Sequence, residues 1–257
     1  MEMQVPWRHW VPEFVLLAAM WGSSFLFMRE GVHAFGPFAT AWVRVTIAAL
    51  ALMPILIWRQ QTLAMLQRWR PILLMGLLSS GIPAACYSFA LLFISTGLSS
   101  ILNSTTPLFG ALIAWWWLGD KLNLWRVTGL GLGFAGVVLL TLHRSGTDAL
   151  SYGNEELAIA ACLLATLCYG VAGSFIKRYL FDVPVMVTTT GSLFGASIAL
   201  LLPAIWFWPS EPPSLHAWLS LLVLGLFCTA LAYVMYFRLM TRNGPARAMT
   251  VTYLIPV

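Results

Sequence analysis

Long apolar runs, separated by short links rich in glycine, proline or charge, dominate the chain. A helix needs about 20 apolar residues to cross the hydrocarbon core of a membrane. Runs of that length predict helices at 11–28, 36–58, 71–93, 97–118, 123–142, 155–176, 184–208 and 216–237, with a ninth opening near 245. The pattern therefore predicts an all-α integral membrane protein.

The composition agrees with this prediction. Of 257 residues, 60% are hydrophobic and 9% charged, whereas a soluble domain carries about 25% charged residues on its surface. No stretch outside the apolar runs is long enough to fold separately. We therefore expect one membrane domain over residues 1–257.

The net charge of +5 could indicate nucleic acid, but the basic residues fall in alternate links. Eleven of the 14 lie in the segments on the side of the amino terminus, while only Arg29 and Arg144 lie on the other side and Arg44 lies within a span. Cytoplasmic loops of membrane proteins collect Lys and Arg. The distribution predicts a cytoplasmic amino terminus and no nucleic-acid partner.

The sequence offers no pattern for a metal or cofactor. The four cysteines lie within apolar runs without CxxC spacing, and the four histidines are scattered without a partner at ligand spacing. We expect no catalytic residues, no metal and no cofactor. The alternative of a membrane-embedded enzyme, such as a lipid transferase, would need those groups at the membrane interface.

The two halves of the chain resemble each other. Pro54 and Pro203 are 149 positions apart, and so are the pairs Gly76 and Gly225, Tyr87 and Tyr236, and Pro107 and Pro256. This spacing predicts two repeats, at 7–144 and 152–257. Five helices per repeat is an odd number, so the second copy would be inverted in the membrane, as in many secondary transporters. The second copy would then lack a tenth helix and the end of the ninth.

Several short segments resemble the EamA-type drug/metabolite transporter superfamily. They are WGSSF at 21–25, Arg44, STTPLF at 104–109 and LGDKL at 118–122, in which Asp120 stands where glutamate is more usual. The resemblance implies a ten-helix carrier of small metabolites in the bacterial inner membrane, a monomer or weak dimer. The greatest similarity is to YddG-like amino-acid exporters, which implies neutral or aromatic amino acids as substrates. Another metabolite or drug is the alternative.

Arg44 is the one ionisable residue well inside a predicted span. Placing Arg at the bilayer centre costs about 2.5–3.5 kcal/mol on insertion scales, so its side chain should face a cavity or a polar partner. It could attract a substrate carboxylate, or it could tie helices together through backbone carbonyls. No Asp, Glu or His lies firmly in mid-span, which favours a facilitator over a proton-coupled carrier.

Polar and aromatic residues at matched places in the two halves are the other candidates for a substrate cavity. Tyr and Trp combine an apolar face with a hydrogen-bonding tip, although they also pack between helices. With Arg44, the predicted substrate-binding set is Trp21, Ser24, Ser80, Tyr87, Asn103, Thr106, Tyr169, Tyr236 and Thr252. Pro107 and Pro256 are candidate hinges, because a proline frees a backbone carbonyl, but either could be an inert kink.

Overall fold

The described part of the protein is helical throughout. The computed structural model describes residues 11–120 and 154–256, with isolated helical positions between 128 and 139. Most of the span predicted at 123–142, with Lys121 and Leu122 of LGDKL, lies outside the described residues.

Six of the described helices are long and apolar enough to cross a membrane. They are α1 (Val11–Phe35), α2 (Pro37–Trp58), α4 (Trp69–Ala90), α7 (Glu155–Leu180), α8 (Val185–Trp206) and α9 (Leu215–Asn243). Between α2 and α4 lies the short helix α3 (Thr62–Gln67), and α5 (Thr96–Asn103) and α6 (Thr106–Leu118) follow α4. After α9 come α10 (Pro245–Met249) and a 3-10 turn, Thr250–Tyr253.

Helix α1 extends beyond the end predicted near residue 28. Arg29 and Glu30 interrupt the apolar run, but both are exposed and both tolerate helical backbone. The helix ends instead at Phe35, because Gly36 adopts a φ of 75° and Pro37 opens α2. Charge therefore marked the edge of the apolar segment and not the end of the helix.

The span predicted at 97–118 is broken next to Pro107, the residue that predicts a kink there: Ser104 and Thr105 divide it into α5 and α6. Pro107 has no N–H to donate to the carbonyl of Asn103, four residues earlier. The hydroxyl of Thr106 donates to that carbonyl at 2.7 Å instead. The interruption is tolerated because a nearby side chain replaces the missing backbone donor.

The segment after α9 is interrupted in a similar way, and the two interruptions touch. α10 gives way to the 3-10 turn at Thr250, where the carbonyl of Thr252 accepts a 3.0 Å hydrogen bond from Ser104 Oγ. Gly110 of α6 and Gly173 of α7 both lie against Met249 of α10. The discontinuous segments therefore meet inside the helix bundle.

Three long helices contain π-helical segments, among them Ile176–Leu180 at the end of α7. The other two, Leu77–Gly81 in α4 and Leu226–Leu231 in α9, form a matched pair at positions 149 apart. The glycine before each segment of this pair allows a close helix contact. Gly76 lies against the carbonyl of Ser192 in α8, and a Cβ at Gly225 would stand 3.2 Å from the carbonyl of Arg44 in α2. Helices α2 and α8 themselves pack along each other, with 2.6 Å between Thr46 Oγ1 and Ser197 Oγ.

Three ion pairs connect the first half of the described chain to the second. They are Arg68–Asp182 and Lys177–Asp120, each at 2.9 Å, and Arg238–Glu13 at 3.8 Å. Glu13 lies in the first turn of α1, and an apolar pocket places the end of α7 beside the end of α9. All three pairs therefore lie at the end of the bundle where α1 begins.

The close contact at Gly76 can be tested with an alanine substitution. Gly76→Ala forces a Cβ against a backbone carbonyl and should lower the free energy of unfolding by about 1–3 kcal/mol. Gly97→Ala is the control, since a Cβ there meets nothing within 4 Å. We expect a lower thermal unfolding midpoint in detergent for Gly76→Ala only. Equal midpoints for the two variants would contradict the packing.

Candidate functional site

A central cavity of about 700 Å³, including its opening, lies between the helices of the two halves. Nine of the ten predicted substrate-binding residues line it: Trp21, Ser24, Arg44, Tyr87, Asn103, Thr106, Tyr169, Tyr236 and Thr252. These residues come from α1, α2, α4, α5, α6, α7, α9 and the 3-10 turn.

Ser80, the tenth predicted residue, is buried but does not line the cavity, whereas its neighbour Ser79 does. The two hydroxyl oxygens are 3.3 Å apart, and Ser79 Oγ donates to the carbonyl of Met75. Both serines lie in the π-helical segment of α4. A π-helical turn holds more residues than an α-helical turn, so the face that each residue presents is shifted.

Arg44 lies in α2 with 8% of its surface exposed. Its Nε donates to Thr229 Oγ1 at 2.8 Å, and its Nη1 lies 3.7 Å from Met28 Sδ. Thr229 in turn donates to the carbonyl of Leu224 at 2.8 Å, so its hydroxyl is held to accept from Arg44. Arg44 therefore does tie two helices together, but through a side-chain hydroxyl in the π-helical segment of α9 and not through a backbone carbonyl.

The guanidinium keeps donors for a ligand. A guanidinium has five N–H groups, and two of those of Arg44 have partners among the residues that the structure describes. Within the same residues, Arg44 forms no ion pair with a carboxylate. A buried cation that lines a cavity without a counter-ion is suited to bind an anionic group.

Two aromatic pairs form much of the remaining wall. The rings of Trp21 and Tyr236 are 4.9 Å apart, and those of Tyr87 and Tyr169 are 6.3 Å apart and nearly parallel, at 22°. Each pair joins a residue of the first half to one of the second. Trp21 and Tyr169 occupy matched places in the halves, as do Tyr87 and Tyr236. The cavity therefore has two similar aromatic walls.

Hydroxyl and amide groups lie around these rings. Tyr87 Oη donates to Asn103 Oδ1 at 2.8 Å. The hydroxyls of Ser24, Thr106 and Thr252 each donate to the carbonyl of the residue three positions earlier. Because these three hydroxyls donate their protons to backbone carbonyls, their oxygens remain as weak acceptors for a ligand.

The two candidate hinge prolines stand at interruptions. Pro107 lies in the first turn of α6, and Pro256 follows the 3-10 turn. Neither lines the cavity. Their role as hinges stays a prediction.

Sequence reasoning missed several lining residues, among them Phe25, Met28, Ser79 and Tyr233. The hydroxyl of Tyr233 donates to the carbonyl of Ser79 at 2.6 Å and so connects the second half to the first π-helical segment. Tyr233 lies three positions before Tyr236 in the same helix, and Met28 lies four after Ser24. Helical spacing from a residue already chosen would have found both.

The described cavity wall carries one cation, hydroxyl and amide groups and aromatic rings. Among the residues that the structure describes, no aspartate, glutamate, histidine or cysteine lines it. The described residues also contain no cluster of three or more such side chains that could hold a metal. Membrane-spanning helices around a polar and aromatic cavity are the arrangement of a membrane transport protein.

The comparison with known families agrees. The profile of the EamA-like transporter family matches residues 10–142 and 156–257. The chain belongs to the EamA-like transporter family, and it is therefore a membrane transporter.

Individual relatives and a solved structure extend this result. The chain is 24% identical to the uncharacterized transporter YoaV of Bacillus subtilis (strain 168), over 95% of this chain and 83% of that protein. It is 27% identical to the uncharacterized inner membrane transporter YedA of Escherichia coli (strain K12), over 97% and 81%. A crystal structure of a protein 19% identical shares the fold, with a TM-score of 0.68 over 96% of this chain and 86% of that one.

The hydrogen bond that holds Arg44 can be tested at Thr229. Thr229→Val keeps the shape of the side chain but leaves Nε without its acceptor, and a hydrogen bond to a charged group contributes about 1.5–3 kcal/mol. We expect a loss of that size in the free energy of unfolding. Thr229→Ser keeps the hydroxyl and should lose less than about 1 kcal/mol. Thermal unfolding in detergent measures both, and equal losses would exclude a role for the hydroxyl.

Proposed function

We propose that the protein carries small amphipathic carboxylate-bearing metabolites, with neutral and aromatic amino acids as substrates, across the bacterial inner membrane by alternating access. The observation that supports this most strongly is Arg44, a buried cation without a carboxylate partner among the described residues, facing an aromatic cavity. No cofactor enters the mechanism.

Each part of an amino acid has a complementary group in this cavity. The carboxylate would accept hydrogen bonds from the free N–H groups of Arg44, which suit its planar geometry. An apolar or aromatic side chain would lie against the rings of Trp21 and Tyr236 or those of Tyr87 and Tyr169. The oxygens of Ser24, Thr106 and Thr252 would accept from the ammonium.

For the mechanism, we propose that segments 7–144 and 152–257 are inverted repeats that rock against each other. The family profile matches two successive segments, which supports this division. So do the matched π-helical segments and the matched contacts at Gly76 and Gly225. Discontinuous helices that meet at a central cavity are typical of such transporters.

We also propose the orientation and the energy source. The basic residues concentrated on one side favour a cytoplasmic amino terminus. The similarity to YedA, which is named an inner membrane transporter, supports the inner membrane. No carboxylate or histidine lines the described cavity to relay a proton. The carrier would therefore be a facilitator that moves its substrate down the concentration gradient. We propose that it acts as a monomer or weak dimer.

Transport by the purified protein tests the proposal. Liposomes that contain the protein should take up labelled phenylalanine or leucine faster than protein-free liposomes, with no requirement for a pH gradient. Arg44→Gln should lower uptake at least about tenfold, because losing a charged hydrogen-bonding partner costs about 2–5 kcal/mol of binding. Arg70→Gln, at an exposed arginine, is the matched control and should transport normally. Absence of uptake for every amino acid would remove them as substrates.

Alternating access can be tested at the end of the bundle closed by ion pairs. Asp120→Cys combined with Lys177→Cys places one thiol on each half, at positions whose native side-chain tips, Oδ2 and Nζ, are 2.9 Å apart. Because cysteine is much shorter than lysine and a disulfide needs Cα atoms within about 7 Å, the two thiols are joined with a bis-maleimide reagent that contains a cleavable disulfide. With the four native cysteines changed to serine, this reagent should join the two halves and stop uptake, and a reductant should restore it. Each single cysteine variant should keep its uptake after the same treatment. Full transport in the cross-linked protein would rule out opening at this end.

A further inference from the structure

The cavity has an unbalanced charge. Among its described lining residues, Arg44 is the only charged side chain. Three described carboxylates, Glu13, Asp120 and Asp182, are engaged in ion pairs at one end of the bundle. The sequence of the predicted span at 123–142 contains no aspartate or glutamate. Counted over the described lining residues, the site therefore carries one positive charge when it is empty.

A ligand with one negative charge and a zwitterion leave this site in different electrostatic states. A monoanion neutralises the guanidinium. A zwitterion leaves the site with a net charge of +1. It also places an ammonium close to Arg44, because the ammonium is attached to the same α-carbon as the bound carboxylate. Like charges at such a separation repel strongly even at an effective dielectric constant of about 20.

The described cavity compensates the ammonium poorly. It contains no carboxylate, and two of its stronger neutral acceptors are already occupied. Asn103 Oδ1 accepts from Tyr87, and the carbonyl of Ser79 accepts from Tyr233. Hydroxyl oxygens and aromatic faces remain, and these interact more weakly with a cation than a carboxylate does.

We infer that the site prefers amphipathic monocarboxylates with a net charge of −1 over the amino acids of the same size. This inference rests on the proposed function, since it concerns the same cavity and the same cation. The preferred substrate class is an organic acid with an apolar or aromatic body, in which a neutral group replaces the ammonium. Transport of such a substrate moves one negative charge per cycle and therefore responds to the membrane potential.

Binding to the native protein in detergent tests the preference directly. Phenylalanine and 3-phenyllactate have nearly the same shape and differ in having an ammonium or a hydroxyl on the α-carbon, while phenylalanine methyl ester lacks the carboxylate charge. By isothermal titration calorimetry we expect 3-phenyllactate to bind at least about tenfold more tightly than phenylalanine, and the ester to bind most weakly. Phenylalanine binding as tightly as 3-phenyllactate would overturn the inference.

The arginine can be tested with two variants. Arg44→Lys keeps the positive charge and should keep the order of the three ligands. Arg44→Gln removes the charge and should reduce the ratio between 3-phenyllactate and phenylalanine to about threefold or less. An unchanged ratio in Arg44→Gln would show that another group selects the anion. The comparison of ligands on the native protein stands whether or not Arg44→Gln folds.

Uptake into liposomes separates this inference from the proposed function. A potassium gradient with valinomycin sets an inside-positive potential, which should accelerate uptake of 3-phenyllactate and leave uptake of phenylalanine unchanged. Protein-free liposomes correct for passive permeation of the acid. Tighter binding of 3-phenyllactate with no transport of either compound would contradict the proposed function alone. If phenylalanine is transported and also binds as tightly as 3-phenyllactate or more tightly, that result would contradict the inference alone.

Discussion

A guanidinium buried among membrane-spanning helices has to be compensated, and the compensation of Arg44 shapes the centre of this protein. Burying a charge without partners costs several kcal/mol. Thr229 supplies one acceptor, and its hydroxyl is itself fixed by the carbonyl of Leu224. That geometry depends on the π-helical segment of α9, where the hydroxyl reaches the carbonyl five residues earlier. The unusual helix and the buried cation are therefore parts of one arrangement.

The interrupted helices follow from a second constraint, that every backbone polar group inside a membrane needs a partner. Pro107 removes one donor, and the hydroxyl of Thr106 takes its place on the carbonyl of Asn103. Ser104 donates to the carbonyl of Thr252 across the two interruptions. Irregular backbone can persist at this depth because it is enclosed by the protein and lies beside the cavity. The same irregularity brings polar side chains to the cavity wall.

The cavity combines similarity between its two sides with one asymmetry. Each aromatic pair joins a residue of the first half to one of the second, and each residue of one pair has its matched position in the other pair. Arg44 has no charged counterpart, since Ser192 stands near the matched place in α8. A site with two similar apolar walls and one cation can hold an amphipathic ligand in a defined orientation. In our inference, the net charge of the site then decides which ligands bind well.

The amino-acid sequence determined the features that depend on local composition. Apolar run length located the six long helices, because a lipid environment requires about 20 apolar residues per crossing. Two sequence criteria selected nine of the cavity-lining residues. The rarity of charge inside a span selected Arg44, and the spacing of about 149 residues selected polar and aromatic pairs such as Tyr87 and Tyr236. These residues could be found because positions about 149 apart in the sequence, such as Tyr87 and Tyr236, both reach the cavity.

The tertiary structure decided the rest. Sequence offered Pro107 as a hinge or an inert kink, but it could not show that the run at 97–118 breaks into two helices, because the break depends on whether Thr106 can satisfy the carbonyl that Pro107 leaves free. It chose Ser80 in place of Ser79, because a π-helical turn shifts the residues that face the cavity. It also could not assign Thr229 to Arg44, since these residues are 185 positions apart. Lipid exposure is a property of each segment, whereas a hydrogen bond between distant helices exists only once they have packed.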